Sequence, residues 1–191
     1  MESGPDFDAV QRFEKELGSE SPRGVVLIGT AILEEKLREL MISVLVPNPS
    51  SSDTLFDGPN SAFGSLSSKI DGAYRMGLIS NSFCRDLHVI RRIRNEVAHE
   101  PQSFRFEDPS PKNRIESLSN SHGMYKRSPK WVEKNGVPSL KAQFIEAVSW
   151  MVFCLASKNE QCLVKSAASQ EFGYLFTFDS DNGLPEGFPG A

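Results

Sequence analysis

Apolar residues recur along this chain at intervals of three and four, the period of an amphipathic helix. Phe7, Val10, Phe13 and Leu17 predict a first helix over 6–17, with Gly18 as its stop. Ser21-Pro22 is a start signal, serine as N-cap and proline at the first helical position. From Pro22 to Val46 the chain is apolar on most sides, which suits a central element. Pro47-Asn48-Pro49-Ser50 ends it. Phe63, Leu66, Ile70 and Ala73 mark a third helix closed by Gly77, and Ser80 to Ser82 offer caps for a fourth. The apolar line of the fourth is Phe83, Leu87, Ile90 and Val97, and Pro101 ends it because the residue before proline avoids the α region. Leu140, Phe144, Val148, Met151 and Leu155 predict a last helix from about Pro138.

Residues 108–137 are rich in Pro, Ser, Asn and Lys, and predict a loop or insertion with one short helical stretch near Ile115–Leu118. Phe172, Tyr174, Phe176 and Phe178 alternate, so 164–191 reads as an irregular tail or a short strand. The pattern therefore predicts an all-α fold. It is a single helical bundle of about five main helices over 1–163, carrying the insertion 108–137.

Composition changes this picture little. Of 191 residues, 39% are hydrophobic and 24% charged, which is ordinary for a globular domain. The net charge of −4 argues against a DNA-coating role, which rests on excess Lys and Arg. Three cysteines without a CxxC pair argue against both a disulfide framework and a zinc site, so no metal or other cofactor is expected. A reducing cytoplasm is the simplest setting. The greasy stretch Val25–Val46 carries Glu34, Glu35, Lys36, Arg38 and Glu39, too many charges for a membrane span.

The chemistry concentrates in Ile90-Arg91-Arg92-Ile93-Arg94-Asn95-Glu96-Val97-Ala98-His99. On an ideal helix with Phe83 at zero, Leu87, Ile90 and Val97 fall within about 40° of it, and Arg94 at about 20° lies in the same arc. His88, Arg92, Asn95 and His99 share a polar stripe between roughly 120° and 180°. An arginine on an apolar arc needs a partner. The structural expectation is a clamp in which a buried Arg94 binds Glu34 or Glu35 bidentately, while Asn95 and His99 cross-link neighbouring backbone.

The competing expectation is metal-independent RNA cleavage. His99 would carry the proton, Arg94 would hold the phosphate and Asn95 would orient the scissile group. Arg94 and His99 lie about 140° apart on a straight helix. Their convergence needs a helix break before Pro101 or a second chain. The pattern Arg-x4-His resembles the signature of the HEPN superfamily, many of whose members are ribonucleases, so the alternative is a HEPN-like ribonuclease or a toxin/antitoxin component.

A longer ordered series runs through Phe13-Glu14-Lys15-Glu16-Leu17, Glu20-Ser21-Pro22-Arg23-Gly24 and Leu33-Glu34-Glu35-Lys36-Leu37. It continues through Leu55-Phe56, Phe63 to Ile70, Ala73-Tyr74-Arg75-Met76-Gly77-Leu78-Ile79 and Leu87 to His99. Over residues 10–107 it resembles the mannitol-operon repressor (MltR-like) family. That resemblance implies an all-helical, non-enzymatic regulator without its own DNA-reading element, acting through an unidentified protein partner. The insertion and the aromatic tail depart from the family pattern.

The residues fit such an expectation. No helix-turn-helix with a basic second helix is present, so direct nucleic-acid reading is not expected. Residues 108–137 carry a net +3 with Tyr125 and Trp131 interleaved, and read as a solvated loop more readily than as a nucleic-acid contact. His122 sits in an exposed-turn sequence, Ser-His-Gly. No nucleophile elbow, P-loop or dinucleotide fingerprint occurs. A homodimer is the other partnership that the sequence leaves open.

Overall fold

The computed structural model describes residues 7–50, 52–99, 104–118 and 129–161. Among these are seven helices and no strand. They are α1 (Phe7–Ser19), α2 (Pro22–Ser43), α3 (Leu66–Arg75), α4 (Asn81–His99), α5 (Pro109–Glu116), α6 (Pro129–Asn135) and α7 (Leu140–Glu160). The all-α expectation holds. The possible strand within 164–191 lies outside the described residues.

Local signals set the helix ends. Ser21 Oγ accepts from Gly24 N at 3.1 Å ahead of Pro22. Ser65 and Ser68 form a reciprocal capping box at the start of α3. Gly77, at φ 72°, closes α3 in the left-handed region. There Leu78 N donates to Ala73 O at 2.9 Å and Gly77 N to Tyr74 O at 3.0 Å, the paired bonds of a Schellman end. Ser80 caps α4 by accepting from Phe83 N, and Ser139 caps α7 by accepting from Ala142 N.

α2 is the axis of the bundle. Val25, Val26, Leu33, Leu37, Leu40 and Met41 are buried, and α1, α3, α4 and α7 all pack against it. The most extensive packing is with α7. A Cβ placed on Gly29 would lie 3.1 Å from Val148 Cγ1, so glycine lets the two helices close together. By length and composition α7 is apolar enough to cross a membrane. In the bundle it is a core helix, with Phe144, Val148, Met151 and Leu155 buried against its neighbours. After α2 the chain folds back under an aromatic anchor. Phe56 is buried beside Phe63 at 5.5 Å, with the Arg38 guanidinium 5.4 Å above its ring.

The segment read as a loop contains two short helices, α5 and α6. Pro109 starts α5, and its one buried stripe is Pro111, Ile115 and Leu118. Three apolar positions are too few to announce a helix by periodicity, but they suffice to dock one on α4 and α7.

Candidate functional site

The central carboxylate of α2 is clamped to a buried cation, but that cation is Lys69. Its Nζ lies 2.7 Å from Glu34 Oε1, with the lysine side chain 6% exposed. Glu35 is exposed and faces Arg38 at 3.8 Å. Arg94 is exposed, and its Nη1 donates to the adjacent Asn95 Oδ1 at 3.4 Å. The expected Arg94 pairing with Glu34 or Glu35 is therefore corrected on both counts, burial and partner.

The reason is geometric. The buried arc of α4 includes Asp86, Val89 and Ile93 as well as Phe83, Leu87, Ile90 and Val97. Its centre thus lies at about −40° rather than near zero. The side that carries Leu87 and His88 is covered by α3, as the His88 Nε2–Asp71 Oδ1 contact at 3.0 Å marks. α3 has ten residues against nineteen in α4 and leaves the last turns of that side open. Arg94 sits there.

The polar stripe is split. His88 is half-buried at the α3 interface, whereas Arg92, Asn95 and His99 line one hollow of about 310 Å³ near the end of α4. Arg91 and Glu96 complete its α4 wall, and Arg114 of α5 closes the other side. Among the described residues Glu96 is the sole carboxylate of the lining, and it is engaged twice. It pairs through Oε1 with Arg114 Nη1, and the same oxygen accepts from Ser110 Oγ at 2.7 Å. No ion pair among the described residues reaches Arg91 or Arg92, and Arg91 Nε is buried without a hydrogen-bond partner. Burial, and then the neighbouring charge of Arg92, lower the pKa of Arg114. Among the described residues the hollow thus holds three guanidiniums against one carboxylate, a formal +2 with His99 neutral.

Two other clusters are present. Asp71, Cys84 and His88 bring one ligand atom each within 4.8 Å of one another at the α3–α4 interface. These donors suit zinc in type, but Asp71 and His88 already satisfy each other. Burial, followed by the charge of Asp71, pushes the Cys84 thiol up and disfavours the thiolate that a metal needs. A wider hollow of about 690 Å³ lies at the end of α2, where Arg38 is taken by Asp57 at 3.6 Å.

Sequence reasoning gave roles to Arg92, Asn95 and His99 and none to Arg91 and Glu96 of the same segment, while Arg114 counted only among the cations of 108–137. Arg114 was beyond its reach, since only the docking of α5 brings it beside α4. Lys69 and Asp86 left a signal. Leu66, Lys69 and Ala73 share the inner stripe of α3, as Phe83, Asp86 and Ile90 share that of α4. Asp86 is fully buried and accepts from Arg85 Nε at 3.0 Å and Nη2 at 2.8 Å.

No family model and no curated protein matches this chain. Among solved structures it is similar to the MtlR–HPr complex from Escherichia coli, with a TM-score of 0.55 at 15% identity, over 77% of this chain and 98% of that one. It is likewise similar to a possible transcriptional regulator, YggD, from Shigella flexneri 2a, with a TM-score of 0.54 at 12% identity, over 85% of this chain and 99% of that one. At these identities the likeness is one of fold.

Proposed function

We propose that this chain is a non-enzymatic regulator of transcription that works through a protein partner rather than by reading DNA. The observation that carries the reading is the likeness of fold across almost the full length of two chains. One is a possible transcriptional regulator, and the other belongs to a complex between two proteins. The ordered resemblance of residues 10–107 to the mannitol-operon repressor family points the same way. The net charge of −4 and the free Cys84 and Cys154 suit a cytoplasmic protein that does not coat nucleic acid. The test is reconstitution. A partner captured on the tagged chain in its native cell is purified, and each protein alone and the pair are titrated onto promoter DNA at physiological salt. The regulator alone is expected to bind no better than a random duplex, and the pair is expected to change promoter occupancy. Tight sequence-selective binding by the chain alone would overturn the partner-mediated route.

A second reading is metal-independent RNA cleavage, favoured by one observation: His99 lines a hollow with three arginines. The roles then shift from the expected Arg94 to Arg92 and Arg114 as the phosphate-holding groups, with His99 as the proton carrier. Cleavage of RNA in a chelator by the wild type, abolished by His99→Ala, would establish it. A wild type without cleavage, whose His99→Ala form only melts at a lower temperature, would exclude it.

A further inference from the structure

We propose that the hollow between the end of α4 and α5 is an effector site for the phosphate group of a small phosphorylated metabolite. As an effector site it deepens the regulatory reading and rests on it.

The charge balance is the first ground. Three arginines meet there, and the single carboxylate among the described residues of the lining is engaged by Arg114 and Ser110. Arg91 and Arg92 are left without a counter-charge among the described residues. A phosphomonoester carries close to two negative charges at neutral pH, which matches the excess of +2. The C-terminal carbonyls of α4 repel an anion, so the guanidiniums carry the attraction.

Donor geometry is the second ground. Guanidinium groups offer planar forks suited to the oxygens of phosphate. The buried, unpartnered Nε of Arg91 is a donor whose desolvation nothing in the fold offsets. Asn95 and His99 add groups able to bind an ester or hydroxyl oxygen. Burial, and then the neighbouring charge of Arg92, disfavour the charge on Arg114, and an anion between the two guanidiniums offsets both.

Size is the third ground. A hollow of about 310 Å³ lies at the small end of the range for ligand sites. It exceeds what a bare phosphate fills and takes a short organic body beside it. A continuous nucleic-acid strand needs an extended track of aromatic and basic groups, and no Phe, Tyr or Trp among the described residues lines this hollow.

The test is calorimetric titration of the full chain with glucose 6-phosphate, glucose, orthophosphate and a short RNA. Arg91→Gln, Arg92→Gln and Arg94→Gln are compared with the wild type, each checked for folding by circular dichroism. Arg94 is the control, because its replacement removes the same charge from the same helix outside the hollow. The expected result is that the sugar phosphate binds and glucose does not. Arg91→Gln and Arg92→Gln should each weaken binding about tenfold or more, the scale of losing a hydrogen bond between charged groups, and Arg94→Gln less than about twofold. Several results overturn the proposal. Among them are no binding of the ester, orthophosphate binding as tightly as the ester, RNA binding without the ester, and equal weakening by Arg92→Gln and Arg94→Gln. A null titration leaves the reconstituted pair and its promoter effect untouched, so the two readings fail separately.

Discussion

Lys69 holds Glu34 of the axis helix from a buried position, and Arg94 stands in solvent. An isolated arginine among apolar positions draws the eye, but burial is decided by which neighbour covers the position. Lys69 is 6% exposed and 2.7 Å from Glu34, while Arg94 lies past the reach of α3. Lys69→Met should therefore destabilise the protein by about 2 kcal/mol. That is below the 3–5 of fully buried pairs because Glu34 keeps one side in water. Arg94→Met should leave the melting temperature within about 1 °C of the wild type. Thermal melts of both variants check this, and the reverse order would contradict the assignment. Glu14 gives a pH-dependent case, since its partial burial raises its pKa. A carboxyl with a raised folded-state pKa favours the fold while protonated, and loses that contribution as pH rises through the folded value. Glu14→Gln should accordingly raise the melting temperature at pH 7, and the gain should shrink on acidification below the usual carboxylate range. An unchanged or growing gain at low pH would refute the cause given.

At the scale of elements, the five long helices were legible because each carries its own period and its own punctuation. Ser21-Pro22, Gly77 and Ser80 act where their chemistry predicts. Of the short α5 only the end was legible, in the helical stretch expected near Ile115–Leu118, since Pro111, Ile115 and Leu118 gain meaning only from the surfaces they cover. The same limit hid half of the candidate site. The α4 side of the hollow follows from a helical stripe, whereas Arg114 arrives by docking of an element that periodicity cannot find. Contact between α2 and α7 makes a separate demand on one residue. Gly29→Val would drive two methyl groups into Val148, where even a single Cβ stands at 3.1 Å. Overpacking of this kind costs about 1–3 kcal/mol. Urea denaturation should give a lower midpoint with an unchanged slope, and an unchanged midpoint would mean that α7 moves aside freely.

At the scale of the whole molecule, the described helices wrap an axis helix, and the candidate hollow lies at one end of α4. Fold class followed from the sequence because every long segment repeats the same period. Function did not, because a helical bundle positions a regulator's contact surface and a nuclease's proton carrier equally well. A regulator that works through a partner changes which transcripts accumulate without cutting them. Transcript abundance together with a map of RNA 5′ ends in the wild-type, deletion and His99→Ala strains tests this directly. A confined set of transcripts is expected to change on deletion, with the same 5′ ends in all three strains. New 5′ ends that depend on the wild-type chain, and vanish in both the deletion and the His99→Ala strain, would contradict it.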